Sequence, residues 1–403
     1  MKKGKRGMHM ILIINGKILT MTGKIYEKGS ILIKGRKIAQ VAEYIKPTED
    51  MQIIDVQGAW VMPGIIEAHC HLGITEEKKG VEGDDCNETT DPVTPYLRAI
   101  DGINTLDAAF DEAVRAGITS AMIGPGSANV VGGQFVFMKT KGRVIDEMTL
   151  LEPAAMKVAF GENTKRVYSG QKKMPATRMA IASLLREALF KAVQYKEKKE
   201  KALQKGETFE EDFKLESWLP VLDKKIPLKA HVHRTDDILT AVRIAKEYGL
   251  RMTLDHCSEG YLIPEELKRF GFPAIVGPAL ASRNKIEVQN VSFKTPGILY
   301  KAGIKIAITT DHPVTPIQYL AKCAGFAARD GLGVEAGLKA ITISAAEICG
   351  VADRVGSLEP GKDADIAIFN DNPMQTLTHT LYTFINGEIA YSHEHVHTEK
   401  EVY

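Results

Sequence analysis

Histidine pairs stand at the ends of two short apolar runs in this sequence. His69 and His71 fall near the end of VMPGIIEAHCHLG, and His231 and His233 follow in KAHVHRTDD. In a β-strand, residues two positions apart project from the same side, so each H-x-H pair can direct two imidazoles to one place. Neutral imidazole is a common ligand for Zn²⁺. The spacing therefore predicts a divalent metal site, although a single H-x-H pair is as compatible with two surface histidines.

Two further segments carry ligands of the same kind. His256 ends the apolar part of RMTLDHCSE, and Asp311 follows IKIAITT. Each segment is typical of a short buried strand in a parallel sheet. In a parallel barrel the carboxyl ends of all strands meet at one face, where active sites lie. The segments are therefore predicted to form one site, whereas Asp311 taken alone could equally be a helix cap.

The central part of the chain alternates strand-like and helical patterns. Residues 61–355 show apolar runs separated by amphipathic stretches, as βαβ units do. This length suits an α/β fold with a (β/α)8 TIM-like barrel. A doubly wound sheet is the alternative, but its glycine-rich phosphate loop after the first strand is missing. We therefore expect the barrel.

The two ends of the chain share a different pattern. Residues 1–60 and 356–403 alternate short apolar runs with turn signals, including Asn15-Gly16 and Asn386-Gly387. Two β-rich segments at opposite ends suggest one discontinuous domain. We expect a small β-sandwich built from both termini, with the barrel at residues 61–355 inserted between its halves.

Composition narrows the class of protein. The chain has 403 residues, 44% of them hydrophobic, and a net charge of +1, which is typical of a soluble globular protein. Near-neutral charge gives no reason to expect nucleic acid or an anionic membrane as a partner. Five cysteines without C-x-x-C spacing indicate a reducing, cytoplasmic compartment. We expect a small-molecule substrate and, since dimers are common, a homo-oligomer as the default state.

Together these motifs resemble the amidohydrolase superfamily of metal-dependent hydrolases. MPGIIEAHCHLG is similar to the first barrel strand of that family, and GSLEPGKDADIAIFN (residues 356–370) to the segment that returns to its small β domain. Within the superfamily, the likeness is greatest to the imidazolonepropionase-like group. The resemblance implies hydrolysis of a C–N bond in an amide or cyclic amide by a metal-activated water. A deaminase or dipeptidase of the same superfamily and a non-catalytic metal-binding barrel are the alternatives.

The resemblance also implies roles for individual residues. His69 and His71 would hold one metal ion together with Asp311, and His231 and His256 would hold a second ion or, in a mononuclear enzyme, divide between metal and substrate. Zn²⁺ suits this ligand set best, and Mn²⁺, Fe²⁺ or Co²⁺ could also occupy it. Asp311 would in addition accept a proton from the activated water and pass it to the leaving nitrogen.

The segment MKVAFGENTKRVY contributes the remaining predicted site residues. By the resemblance, a bridge between two metal ions would come from a carboxylated Lys157 or from Glu162. Their separation is odd, so in a regular strand only one of them points inward. We lean to Glu162, because GEN falls where the strand should open into the catalytic loop. Arg166, Tyr168 and His233 are predicted to bind substrate, the arginine through a carboxylate.

Overall fold

The structure is a computed structural model that describes residues 9–77 and 80–393. The parts of the terminal domain predicted at residues 1–8 and 394–403 lie outside the described residues. The strands are β1 (Met10–Leu19), β2 (Ile25–Lys34), β3 (Lys37–Ala42), β4 (Met51–Asp55), β5 (Trp60–Pro63), β6 (Ile65–Cys70), β7 (Ile118–Ile123), β8 (Val131–Lys139), β9 (Thr149–Ala159), β10 (Leu228–Val232), β11 (Met252–His256), β12 (Ala274–Val276), β13 (Ile306–Ile308), β14 (Ile366–Phe369), β15 (Thr380–Ile385) and β16 (Glu388–Ser392).

Helices fill most of the connections between the central strands. The α-helices are α1 (Ala108–Arg115), α2 (Ile145–Met148), α3 (Glu162–Gly170), α4 (Arg178–Gln204), α5 (Phe213–Glu216), α6 (Leu219–Leu222), α7 (Thr235–Glu247), α8 (Pro264–Phe270), α9 (Thr295–Lys301), α10 (Leu320–Ala327), α11 (Val334–Ala340) and α12 (Ile343–Cys349). Short 3-10 turns cover Val81–Gly83, Ala99–Asp101, Gly260–Leu262, Ile286–Val288 and Ile317–Tyr319, and a π-helical turn covers Ala328–Leu332. Among the residues the structure describes, no helix is long and apolar enough to span a membrane.

The central strands form one eight-stranded sheet that curves into a nearly closed barrel. Its order is β13-β12-β11-β10-β9-β8-β7-β6. Polar contacts join the two outer strands: the backbone N–H of His71 donates to the carbonyl of His312 at 2.9 Å, and the Thr309 hydroxyl donates to the carbonyl of His69 at 2.6 Å. The predicted α/β barrel is confirmed.

One strand of the barrel runs against the others. β8 is antiparallel to both β7 and β9, whereas the remaining neighbours in this sheet are parallel. The chain turns back directly after β7, so this connection has no crossover helix. Phe135 and Phe137 of β8 are buried, and the Phe135 ring lies 5.4 Å from that of His69. The sequence analysis did not anticipate this reversed strand.

Helix α7 shows how the outer layer packs on the barrel. Its buried residues Ile238, Ala241, Val242 and Ala245 follow the three- and four-residue spacing of one helical face. The buried strands inside this layer, such as β10 and β11, are apolar on the side that meets the helices. The charged residues that these strands do carry therefore lie in the barrel interior.

Strands from both ends of the chain share the second sheet. Its order is β16-β15-β14-β5-β1-β2-β3, with β4 paired to β1. Asn386 and Gly387 form the β15–β16 hairpin turn with positive φ, as predicted. Asn15 and Gly16 instead lie inside β1, where Asn15 has φ 59° and the register with β2 shifts, so this pair makes a bulge and not a hairpin. The domain boundaries at residues 60 and 356 stay a prediction.

Candidate metal centre

His69 is held in one orientation inside the barrel. Its Nδ1 lies 2.6 Å from Asp255 Oδ2, so Nδ1 carries the proton and Nε2 keeps its lone pair. Burial, followed by the nearby Lys157, lowers the pKa of His69 well below its usual value. His69 Nε2 lies 3.2 Å from Lys157 Nζ and 3.5 Å from Asp311 Oδ1. The imidazole is therefore neutral and directs a free nitrogen toward the other candidate ligands.

His71 lies beside His69, as the two-residue spacing predicts. Its Nδ1 is 2.7 Å from the carbonyl oxygen of Gly124, and its Nε2 is 3.2 Å from Asp311 Oδ1. The two imidazole rings are 5.4 Å apart. Asp311 Oδ1 thus lies between the Nε2 atoms of both histidines. This arrangement brings the predicted ligands of the first metal ion together.

A break in strand geometry brings two consecutive residues to the site. In the register of β10 and β11, His231 pairs with Asp255, and Val232 pairs with His256. Regular alternation would place His256 on the opposite side from Asp255. His256 instead has φ 71°, and its ring lies 5.2 Å from that of His69. This left-handed conformation is rare outside glycine and is often found at functional sites.

The second H-x-H pair joins His256. The His231 ring lies 4.7 Å from that of His233 and 4.5 Å from that of His256, and His233 stacks on His256 at 4.7 Å. His233 Nδ1 lies 2.8 Å from the hydroxyl of Ser258. His233, predicted to contact substrate, is thus as close to this cluster as the predicted ligands are. His312 faces away, and its Nδ1 accepts from the backbone N–H of Ile317 at 3.2 Å.

The donor atoms fit a divalent cation. Two groups of candidate ligands, each with its atoms within 4.8 Å of one another, share His256: one is His231, His233 and His256, and the other is His69, His256 and Asp311. The Nε2 atoms of His231 and His256 are buried and have no hydrogen-bond partner. Buried polar atoms are seldom left without a partner. Unpaired imidazole nitrogens in a cluster of histidines and an aspartate are therefore typical of metal ligands.

Lys157 and Glu162, the two candidates for a bridging ligand, lie in different surroundings. Lys157 is fully buried on β9, and its Nζ reaches His69 Nε2. Glu162 is the first residue of α3, where its carboxylate accepts from the backbone N–H of Glu287 at 3.4 Å. Neither ligand group includes it. β9 ends at Ala159 and Glu162 begins α3, so the alternation of a strand does not relate the two residues; the choice between Lys157 and Glu162 stays a prediction.

Two predicted substrate ligands also lie elsewhere. Arg166 is exposed on α3. Tyr168 is fully buried, and its hydroxyl donates to Asn129 Oδ1 at 2.7 Å. Helical geometry turns Arg166 outward and buries Tyr168, and neither residue lines the cleft, so their role in substrate binding stays a prediction. Asn163, from the same helix, does line it.

Charged residues inside the barrel strands support the ligands. Asp255 accepts from His69 and also lies 3.0 Å from Lys229 Nζ. Glu67 accepts from the backbone N–H groups of His69 and Thr310, and burial raises the pKa of Glu67 to about 7. The sequence analysis did not predict a role for Asp255, Lys229 or Glu67. The available signal was a charged residue within each apolar strand, since a strand packed on both faces excludes unpaired charge.

A cleft opens above this cluster of histidines and Asp311. It has a volume of about 520 Å³ and is lined by His71, His231, His233 and Asp311 together with residues of the surrounding loops. Asn163 donates to the hydroxyl of Ser127 at 2.8 Å and accepts from Lys285 Nζ at 2.7 Å. Arg283, Lys285 and the buried thiol of Cys86 also line this space. The cleft is large enough for a small molecule.

Comparison with known proteins gives the class of this fold and site. The amidohydrolase family model matches residues 60–390, and this chain belongs to that family. A crystal structure of an amidohydrolase from Thermotoga maritima MSB8 is 41% identical, aligns over 95% of this chain and 100% of that one, and has a TM-score of 0.92. The family prediction is therefore confirmed, while the narrower likeness to the imidazolonepropionase-like group stays a prediction.

Curated relatives are longer or match over shorter segments. Amidohydrolase tasK of Hapsidospora irregularis is 29% identical over 93% of this chain, which spans 41% of its length. A 5'-deoxyadenosine deaminase of Methanococcoides burtonii is 42% identical over 16% of this chain and 15% of its own. A prolidase structure with N-methylphosphonate-L-proline is 17% identical, aligns over 95% of this chain and 100% of that one, and has a TM-score of 0.58, which shows the shared fold alone.

Proposed function

We propose that this protein is a metal-dependent hydrolase of a C–N bond in an amide or cyclic amide of a small molecule. The observation that carries the proposal is the convergence of two ligand groups on His256 at the carboxyl face of the barrel, directly below a cleft. Active sites of such barrels lie at this face. Membership of the amidohydrolase family supports the same bond class.

In this proposal, His69, His71, His231, His256 and Asp311 hold one or two divalent ions, with Zn²⁺ as the best match to the donor set. A bound ion supplies Lewis acidity, which makes water nucleophilic at neutral pH and polarises the substrate carbonyl. His69 and His71 offer imidazole donors whose rings are oriented by Asp255 and by the carbonyl of Gly124. Burial would lower the pKa of His71, but Cys86 and Asp311 outweigh it and raise the pKa to about 10, so a metal ion would have to displace a proton from His71.

Asp311 is the group that moves the proton. Burial alone would raise the pKa of Asp311, but His256 and His71 outweigh it and hold the pKa well below its usual value. The carboxylate is therefore ionised at neutral pH and can accept a proton from the attacking water. It can then return that proton to the leaving nitrogen, which must be protonated before it departs as an amine.

Lys157 takes the bridging role in place of Glu162. Burial lowers the pKa of Lys157 to about 8, so a substantial fraction of its amine is neutral near physiological pH. A neutral amine can attack CO₂ through its lone pair and lose one proton, giving a carbamate. The carbamate would offer two oxygens to the metal site, and Nζ lies 3.2 Å from His69 Nε2.

The charge of the cleft supports an anionic substrate. Outside the metal ligands, Arg283 and Lys285 line the cleft with Asp84 as the opposing carboxylate. A carboxylate on the substrate would pair with the two cations. N-acyl amino acids, dipeptides and carboxylated cyclic amides are therefore the first substrates to test, ahead of the uncharged substrates of a nucleoside deaminase.

The deciding experiment combines metal analysis with a substrate panel. The purified protein, loaded separately with Zn²⁺, Mn²⁺ and Co²⁺, is assayed on N-acyl amino acids, dipeptides, cyclic amides and aminopurines, with His69→Ala as the matched inactive variant. We expect turnover on one amide class, loss of metal from the variant and an unchanged circular dichroism spectrum. Full metal content in His69→Ala, or turnover of aminopurines alone, would contradict the proposal.

A further inference from the structure

Glu287 is a buried carboxylate beside the metal centre that none of the roles above uses. It lies on the loop after β12, in the turn Ile286–Val288, and its side chain is 2% exposed. Its Oε2 accepts from the backbone N–H of Glu162 at 2.8 Å. Its Oε1 has no hydrogen-bond partner and lies 3.7 Å from His231 Nε2, which is itself unpartnered.

The separation of these two atoms is informative. At 3.7 Å, Glu287 Oε1 and His231 Nε2 are too far apart for a hydrogen bond. Two donors that each lie about 2.1 Å from one ion are about 3 to 4 Å apart, depending on the angle between them. A buried carboxylate oxygen and a buried imidazole nitrogen at this distance are thus placed as two ligands of one cation.

Glu287 has one distant cation beside it. Lys285 Nζ lies 3.9 Å from Oε1, in a long ion pair, and also donates to Asn163 Oδ1 at 2.7 Å. Asp237 is a second carboxylate in this region. Both carboxylates lie beside Gly161, where an added Cβ would be 2.8 Å from Glu287 Oε2 and 3.0 Å from Asp237 Oδ2. Asp237 already has a cationic partner, because Arg178 Nε lies 3.0 Å from it. A divalent ion at His231 would place positive charge closer to Oε1 than Lys285 does.

We propose that Glu287 is a further ligand of the metal centre and binds, through Oε1, an ion held by His231; Glu287 lies outside the two tighter ligand groups and reaches the centre through His231. This inference rests on the proposed metal-dependent function and extends it. The loop after β12 becomes part of the metal site, so metal binding also fixes the segment that carries Arg283 and Lys285 at the cleft. Metal loading and the shape of the substrate site are then coupled.

The test measures metal binding and needs no substrate. Glu287→Gln keeps the side-chain volume and the acceptor for the Glu162 N–H but removes the anionic ligand. Glu162→Gln, on the neighbouring carboxylate of the same contact, is the control. Metal-free full-length proteins are titrated with Zn²⁺ against a chelating dye. We expect Glu287→Gln to lose at least about 10-fold in affinity at one site, and Glu162→Gln to bind as the wild type does.

Wild-type affinity at every site in a folded Glu287→Gln variant would overturn the inference and would show that Glu287 only anchors the loop. If Glu287→Gln does not fold, Glu287→Asp, which withdraws the carboxylate by one methylene, is titrated instead, with the same 10-fold loss expected and wild-type affinity again overturning it. If the wild type binds none of Zn²⁺, Mn²⁺ or Co²⁺, the proposed function itself fails, which separates the two failures.

Discussion

The 2.6 Å contact between His69 Nδ1 and Asp255 Oδ2 joins β6 to β11 across the barrel interior. Asp255 also accepts from Thr253 and contacts Lys229, so it has a partner on three sides. Burial would raise the pKa of Asp255, but Lys229 and His69 outweigh it and hold the pKa far below its usual value. An anion fixed in this way sets the tautomer of His69 and keeps Nε2 available.

Asp255→Asn should therefore weaken metal binding although Asp255 is not itself a predicted ligand. The amide can present its NH₂ group to His69 and so favour the wrong tautomer. We expect a loss of about 10- to 100-fold in Zn²⁺ affinity, as for similar partners of metal-bound histidines. A chelator competition assay measures this. Thr253→Val, which removes one hydrogen bond to the same carboxylate, should lose less; equal metal affinity in Asp255→Asn and the wild type would contradict the role.

Asp311→Asn should keep the fold and much of the metal but lose turnover. The amide cannot accept a proton, so we expect kcat to fall by about 10²- to 10⁴-fold, the range typical of a lost general base. Steady-state kinetics on a verified substrate, with metal content measured on the same samples, separate catalysis from ligation. Turnover near that of the wild type would leave Asp311 with a binding role alone.

Lys157→Ala should lose metal and activity, whereas Glu162→Gln should retain both. Only Lys157 reaches the cluster, through Nζ at 3.2 Å from His69 Nε2. Short carboxylic acids such as acetate should partly restore Lys157→Ala, because a free carboxylate can occupy the place of the carbamate. Lys157→Met, which keeps the buried volume, controls for packing. Metal loss in Glu162→Gln together with full metal in Lys157→Ala would reinstate the glutamate.

Acid should weaken the contact between the barrel and the second sheet. Asp363 is buried among Lys37 at 2.8 Å, Lys139 at 3.1 Å and Arg354 at 2.8 Å, where Lys139 belongs to β8 and Lys37 to β3. Burial would raise the pKa of Asp363, but Lys139 and the other cations outweigh it and lower the pKa to about 2. The folded pKa thus lies below the unfolded value of about 3.9.

Because the folded pKa of Asp363 is the lower of the two, its carboxylate stabilises the folded protein only where it is ionised. The ionised Asp363 contributes stability above about pH 4, of order 2 kcal/mol, and this contribution is lost as the pH falls from about 4 toward 2. Asp363→Asn should be less stable than the wild type at about pH 5, and the difference should shrink at about pH 3. Urea unfolding at both pH values measures it. A difference that does not change with pH would show that the carboxylate charge contributes nothing.

Local patterns in the sequence were sufficient to predict the barrel and the types of residue expected to bind a metal ion. Short apolar segments ending in His69, His231, His256 and Asp311 predict strands whose carboxyl ends meet, because parallel strands of one barrel share that face. The alternation of side chains in a strand places His71 beside His69, as the structure has it. Both of these arguments use only the geometry of a single strand and the general form of the barrel.

Arguments from single strands do not extend past the end of a regular element. Strand alternation predicts that only one of Lys157 and Glu162 points inward, but Glu162 lies in a helix after β9 has ended. His256 reaches the same site as its neighbour Asp255 because its backbone has a positive φ, which is uncommon in any non-glycine residue, so the sequence did not predict it at this position. The reversed direction of β8 likewise depends on how the whole sheet closes.

The sequence by itself determined the class of fold, and it predicted that these histidines and Asp311 lie together at the carboxyl face, where the structure places them. Only the tertiary structure shows which charged side chains lie beside them: Lys157 near His69 Nε2, Asp255 behind His69, and Glu287 facing His231. These contacts join residues that are far apart in the chain, such as the 186 positions between His69 and Asp255. Periodicity specifies the face of one element, whereas such pairings depend on how all the elements pack together.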